Sequence, residues 1–489
     1  MSEISSPSQL NPGGGGGQAD APEPVLEIEA SCRAPVLLLF VSALVWLLVG
    51  SVFGMIAAIK FHGTNFLADC SWLTYGRVHP AHLNALVYGF AAQAGLGVAL
   101  WMVAHLGRTR LAFAPAIIVG AKLWNLGVAL GILGILYGES TGYEWLEMPR
   151  YASATLFCGY TLIALGGLVT LHKRRERQLY ISQIFVLAAL FWFPWIYSTA
   201  SLLLVVKPVR GALQAGLDYW YANNLMNIWF GFIGLAAAFY FIPKIVKRPL
   251  YSQYIGIFIF ATLAFFGSWG GIPEGTPLPA WMSAMSTMGA VVMVVPILGV
   301  AYNVLRTLMC ALPKWGESRS FSFFHFGVKC YVLAGLAGAL MATIRFGKIT
   351  NFTWFVPAHT QLFLYGFFAM TMFGAIYYIV PRLVGAEFLK PGLITLHLFL
   401  AGGGILLYVA PLAIGGVKQG MMLNDPTKSF SEITASSLMF LRISTMGDAL
   451  MVLGHLVMFL NVAGLLVSVG RKCATAAWVG HTKPVEVTP

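Results

Sequence analysis

Long apolar runs follow one another from residue 35 almost to the C-terminus, separated only by short polar turns. They fall at roughly 35–59, 80–104, 112–137, 151–171, 180–205, 219–243, 252–271, 281–309, 322–344, 355–381, 391–416 and 443–469. Each is long enough for a helix to cross a hydrocarbon core of about 30 Å, with allowance for tilt. No soluble domain fits between them, so the chain is expected to be an all-α polytopic membrane bundle of twelve helices. Charge agrees: only 10% of residues are charged and the mean hydropathy is +0.77, where a soluble chain carries about 25% charged residues. The net charge of +12 would point to nucleic acid if it lay on one soluble face. Here the charges sit in short tracts between apolar runs, where they meet lipid headgroups, and nucleic acid is not expected as a partner.

The basic residues orient the bundle. With the N-terminus inside, the tails and alternate loops on that side hold eighteen Lys and Arg, including Arg108, Arg110, Lys173 to Arg177, Lys244 to Arg248, Lys314 and Lys483. The opposite loops hold ten, among them Lys60, Arg77, Arg150, Lys207 and Arg210. An even number of crossings with both termini in the cytoplasm follows from that asymmetry. The seventh run is the weakest, because Gly267, Gly270, Gly271 and Pro273 crowd its end. Residues 1–34, with the Gly13 to Gly17 tract, read as a flexible cytoplasmic tail, 35–470 as the helical domain, and 471–489 as a second cytoplasmic tail. The six cysteines, Cys310 among them, show no paired spacing and read as small hydrophobes.

Polar side chains inside the runs are more informative than the apolar background. His82, Asn84, Asn223, Asn224, Asn227, His359, Gln361, His397 and His455 are each unfavourable in lipid and should face other helices, a cavity or a cofactor. A hydrogen-bonded packing role explains any single histidine as well as a ligand role does. Lys122 and Lys329 fall within spans and either line hydrated paths or snorkel to an interface. Glu139, Glu144 and Glu147 cluster in YGESTGYEWLEMP, which reads first as a solvated acidic loop.

Four segments in fixed order carry a resemblance: RVHPAHLNALVYGF from Arg77, DYWYANNLMNIWFGFIGLAAAFYFIPKIVKRPLYS from Asp218, PAHTQLFLYGFFAMTMFGAIYYIVPRL from Pro357, and HLFLAGGGILLYVAPLAIGGVKQG from His397. Together they resemble the catalytic subunit I of cbb3-type heme-copper cytochrome c oxidases and, more distantly, the large subunit of bacterial nitric oxide reductases. The resemblance spans roughly 35–470 and implies the twelve-helix subunit I bundle, a bacterial inner membrane location, heme b, and a cytochrome c-type electron-transfer partner among other respiratory subunits. It implies oxidoreductase and proton-translocating activity, and leaves room for a calcium ion at the acidic external segment.

Residue by residue, the resemblance is incomplete. His82 matches the low-spin heme ligand of the second helix, and His359 the proximal ligand of the high-spin heme in the tenth. Gln361 stands where the second low-spin ligand is a histidine, and an amide oxygen is a weak iron ligand beside an imidazole nitrogen. A five-coordinate heme on His82, a heme paired with another side chain, and loss of that heme all remain open. The copper histidines fall at Asn223, Gly271 and Ile272, and residues 268–281 contain no histidine. Asn, Gly and Ile cannot reproduce three imidazoles. The expected function is therefore a respiratory electron-transfer subunit holding heme b without a conventional copper centre. A heme-poor structural subunit, and an oxygen or nitric oxide reductase with an unrecognised active site, are the alternatives.

Overall fold

A computed structural model describes residues 25–63, 65–309, 311–313 and 318–482. Cys310, Lys314, Lys483 and the tail through residue 24 lie outside them. The described chain forms helices α1 (Val25–Lys60), α2 (Tyr75–Leu106), α3 (Ala114–Tyr137), α4 (Arg150–His172), α5 (Ile181–Val206), α6 (Leu213–Val246), α7 (Gln253–Trp269), α8 (Ala280–Leu308), α9 (Arg319–Met341), α10 (Phe355–Val384), α11 (Gly392–Leu423) and α12 (Phe430–Thr482). Among them, 11 are long and apolar enough to cross a membrane, and α7 is a shorter apolar helix. The twelve runs thus appear as twelve helices. The seventh is short because Gly267 begins a tight turn that ends it.

Two helices begin earlier than the hydropathy indicates. α1 starts at Val25 rather than 35 because Glu29, which interrupts the apolar run, is buried and bonded. Trp101 Nε1 donates to Glu29 Oε2 at 3.0 Å, and His105 stands 3.2 Å from the other oxygen. A buried carboxylate holding two such partners is compatible with an interior position. α12 starts at Phe430 rather than 443, since its first turns are rich in Ser and Thr whose hydroxyls return to the helix's own carbonyls, as Ser437 does to Ile433 at 3.2 Å.

Three helices form the interior. The most apolar stretch of α2, α6 and α10 is 89 to 100% buried, against 33 to 50% in the other long helices. Close approach around them depends on glycine. A Cβ on Gly120 of α3 would stand 2.8 Å from the Gly159 carbonyl of α4, and one on Gly404 of α11 would stand 2.9 Å from the Gly447 carbonyl of α12. With lipid as apolar as the side chains, such backbone contact supplies the packing energy between helices. Wide π-type turns occupy Ala85–Ala91, Asn224–Phe230 and Leu362–Ala369. In the three interior helices they begin just after His82, Asn223 and Gln361 respectively. Turns of this kind are concentrated at functional sites.

Candidate functional site

A cavity of about 960 Å³ lies between α6, the α7–α8 loop, α9 and α10. It is of cofactor size. Asn223, Gly271, Ile272 and His359, separated by up to 136 positions in sequence, all line it.

The α6 side is closed by amides. Asn223 Nδ2 donates to the Gly267 carbonyl at 2.8 Å, and Asn227 Nδ2 donates to Asn223 Oδ1 at 2.9 Å. One residue on, Asn224 Nδ2 donates to the Ser268 carbonyl at 3.0 Å and its Oδ1 accepts from Trp192 Nε1 at 3.1 Å. These bonds tie α6 to the end of α7 where the helix stops and its carbonyls lack partners. Gly271 has φ +101°, and a Cβ there would lie 2.5 Å from Asn223 Cβ and 2.8 Å from the Tyr219 carbonyl. Only glycine fits. The Ile272 amide donates to Ser286 Oγ at 2.9 Å, which pins the next residue as well. Among the described residues no group of three His, Cys, Asp or Glu is placed to hold a metal ion.

His359 faces the same cavity from α10. Its Nε2 is 3.0 Å from the Ala334 carbonyl, and Gly338 gives it room, since a Cβ there would stand 3.0 Å from that nitrogen. A carbonyl only accepts, so Nε2 carries the proton and Nδ1 the lone pair. Ligation through Nε2 therefore requires the bond to Ala334 to be released and the tautomer exchanged.

His82 is poised differently. Its Nδ1 lies 2.7 Å from the Gly50 carbonyl, and Gly54 leaves space for the ring: a Cβ there would stand 2.6 Å from two ring atoms. The same tautomer argument puts the proton on Nδ1 and the lone pair on Nε2. That is the arrangement of a metal-ligating histidine whose other nitrogen is fixed by a backbone carbonyl. A heme thus fits the donor set at His82 directly and at His359 only after the Ala334 bond is exchanged. Gln361, half-buried on α10, offers an amide.

The remaining polar positions have structural partners. Both His455 nitrogens are engaged, Nδ1 with Ser51 Oγ and Nε2 with the Tyr365 hydroxyl, each at 2.6 Å. His397 Nδ1 is 3.1 Å from the Tyr377 hydroxyl, while its Nε2 is buried without a hydrogen-bond partner. Lys122 and Lys329 are exposed, which is compatible with snorkelling to an interface. The acidic loop differs from expectation. Glu144 is exposed at the cavity edge, but Glu147 is buried and accepts from Asn84 Nδ2 at 2.9 Å. Burial pushes the Glu147 carboxyl up to about 7 against the opposing effect of that bond. Sequence reasoning gave no role to Ser51 or Tyr365; single hydroxyls in apolar helices carry no pattern.

Comparison with known proteins gives concordant results. The family described as cytochrome C and quinol oxidase polypeptide I matches residues 34–450. The cbb3-type cytochrome c oxidase subunit CcoN1 of Stutzerimonas stutzeri is 27% identical over 443 residues, covering 86% of this chain and 92% of the relative. A cytochrome c oxidase subunit 1 homolog of Azorhizobium caulinodans is 27% identical over 449 residues, covering 88% and 81%. Among solved structures, a heme-copper terminal oxidase dimer matches with a TM-score of 0.69 at 16% identity, over 90% of this chain and 84% of that one. At that identity the likeness is one of fold.

Proposed function

Because the chain belongs to the family of cytochrome c and quinol oxidase polypeptide I, we propose that it is an electron-transfer subunit of a respiratory complex, holding heme b without a conventional copper centre. The observation that carries this reading is the single cavity in which His359 meets Asn223, Gly271 and Ile272. One wall keeps an imidazole; the other offers only amide and apolar groups. Heme supplies one-electron redox chemistry when bound, and the protein tunes its potential. His82 holds the low-spin position through Nε2, with its ring fixed by Gly50. His359 holds the high-spin position. On the copper side, Asn223 and Asn227 present a neutral, hydrogen-bonded wall that offers no imidazole to a copper ion. The donor is a cytochrome c-type subunit on the outer side, and further respiratory subunits cover the bundle.

The subunit resides in a bacterial inner membrane with both termini in the cytoplasm, a reading that the excess of basic residues on that side supports. Calcium is at most a minor occupant of the acidic loop, because Glu147 is already bonded to Asn84.

A second reading, a heme-poor structural subunit, draws on the Ala334 bond that satisfies His359 without any cofactor. An oxygen or nitric oxide reductase would need ligands for its second metal from another chain. Pyridine-hemochrome and metal analysis of the purified intact complex separates the three. The expected result is heme iron without stoichiometric copper from this chain. Folded complex without heme supports the structural subunit, and turnover of oxygen or nitric oxide supports the reductase.

A further inference from the structure

At the end of the bundle where α3 and α5 finish and α4 and α6 begin, a groove of about 690 Å³ shares no lining residue with the large cavity. One wall is the α3–α4 loop from Glu139 to Tyr143, continued by Arg150 and Tyr151 at the start of α4; the other is the end of α5 and the loop after it, from Leu204 to Pro208. Each wall is fixed by bonds of its own. The Thr141 amide donates to the Glu147 carbonyl at 3.0 Å, and the Thr141 hydroxyl donates to the Leu146 carbonyl at 2.8 Å. Opposite, the Lys207 amide donates to the Leu202 carbonyl at 2.8 Å, and Gln214 Nε2 donates to the Val209 carbonyl at 2.6 Å. A groove whose walls are already ordered binds without the entropic cost of ordering them.

Two full charges of opposite sign, Glu139 and Arg150, line this groove, and both are exposed. They do not pair with each other. Glu139 Oε2 accepts from the Tyr151 hydroxyl at 2.7 Å, which leaves Oε1 for another donor. The Arg150 guanidinium meets no acceptor among the described residues. Beneath the charges the floor is apolar, formed by the buried side chains of Leu204 and Val205. From there a stripe of exposed apolar side chains, Val206, Leu202, Trp195 and Phe191, runs down one face of α5 at helical spacing. Tyr137 and Tyr151 expose their rings beside the groove, as aromatic side chains do at the level of lipid headgroups. Charge at the top and an apolar strip leading into the hydrocarbon are the two halves of a phospholipid.

We propose that this groove binds a phospholipid whose headgroup carries both a phosphate and a primary ammonium, the chemistry of phosphatidylethanolamine. The phosphate meets Arg150, whose planar guanidinium presents two parallel donors to two oxygens. The ammonium donates to the free oxygen of Glu139, and an acyl chain lies along the α5 stripe. Charge complementarity selects this occupant over other lipids. A phosphatidylglycerol headgroup brings a net negative charge beside Glu139, and the quaternary cation of phosphatidylcholine has no N–H to donate. The α3–α4 loop that forms one wall also brings Glu144 and Trp145 to the large cavity, so lipid and cavity share a support. The site stands whether or not either histidine holds a heme.

The test uses the intact complex, stripped of lipid in detergent and titrated with phosphatidylethanolamine, phosphatidylcholine or phosphatidylglycerol, with bound lipid counted by native mass spectrometry. Gly142→Trp places a large side chain in the open space of the groove and keeps both charges; the lipid lost in this variant identifies the site. At that site wild type should prefer phosphatidylethanolamine about threefold to fivefold over each of the others, the worth of one partly solvated charged contact. Glu139→Gln should erase the preference over phosphatidylglycerol, and Arg150→Gln should weaken all three lipids by a similar factor. Unfolding midpoints of the lipid-free variants, all at exposed positions, should equal that of wild type. Equal binding of the three lipids by wild type, or no lipid lost in Gly142→Trp, overturns the proposal. A photoreactive side chain at position 142 should cross-link lipid; a cross-link to another polypeptide of the complex would make the groove a subunit contact and overturn it as well.

Discussion

His82 and His359 are both histidines of interior helices, yet their surroundings have opposite character. At His82 the ring is held by the Gly50 carbonyl on the nitrogen away from the open position, and Gly54 of α1 leaves room for it. At His359 the bonded nitrogen is Nε2, the ring leans on α9, and a large cavity opens beside it. One site is preorganised for ligation; the other lies beside a large cavity without a preorganised ligand. The contrast shows that a retained residue type does not establish a retained state, because the second nitrogen's partner decides which lone pair is offered.

The strongest way to break this comparison is to remove each imidazole in turn. His82→Ala should abolish the low-spin signal, and His359→Ala should remove or perturb a separate high-spin component without unfolding the bundle. Loss of the same spectral component in both variants, read by magnetic circular dichroism at equal protein, would mean the two positions do not serve different hemes. Unchanged occupancy, spectrum and potential in folded His359→Ala would sink the proximal assignment.

A smaller effect is expected at the amide. Gln361→His should raise the low-spin fraction severalfold at equal heme content, measured by electron paramagnetic resonance, because an imidazole binds iron more strongly than an amide oxygen. Copper content should not rise. An identical spectrum in a wild-type protein that is already fully low-spin would show that another side chain completes the site.

Asn223→Leu sharpens the cavity side. It removes one of the two donors to the Gly267 carbonyl, which keeps the Gly270 amide, and leaves the Asn227 amide without its partner, at a cost of about 1–3 kcal/mol. Thermal unfolding in detergent should show the loss, with the His82 signal unaltered. A stability equal to wild type would mean that the amide wall does not brace α6 against α7.

The acidic loop next to the cavity should impose a pH dependence on stability. The Glu147 carboxyl is raised from 4.5 to about 7, chiefly by burial. The folded protein therefore holds a proton that the unfolded chain has released, and stability falls as pH rises from about 4.5 to about 7. The loss is bounded at about 3 kcal/mol. Glu147→Gln, which keeps a partner for Asn84, should flatten the unfolding midpoint over that window. An unchanged slope would assign the dependence elsewhere.

Much of this architecture was legible because bilayer thickness writes itself into run length: the twelve helices follow directly from the apolar segments. The helix starts at Val25 and Phe430 did not, because a carboxylate paired with Trp101 and a set of self-bonded hydroxyls look polar in one dimension and are satisfied in three. Within the site, the grouping of Asn223, Gly271, Ile272 and His359 was implied by their aligned positions. The bond from His359 to Ala334 was invisible, since Ala334 contributes only its carbonyl. Ser51 and Tyr365 stay silent in the sequence for a similar reason: each matters as a hydrogen-bond partner of His455. Glu147 reads as solvated because neighbouring acids usually are, whereas its partner Asn84 lies far off in sequence, on α2.

Gly271 has a consequence for the history open to this protein. Its positive φ and the 2.5 Å approach of Asn223 Cβ mean that a histidine arriving there by one mutation would meet a wall before it met a metal. Replacement of Asn223 alone would free the space but leave the backbone in a conformation hostile to any side chain, and the first substitution would already have loosened α6. The loop is therefore closed to stepwise change at this position: no single substitution at Gly271 introduces a side chain without displacing Asn223.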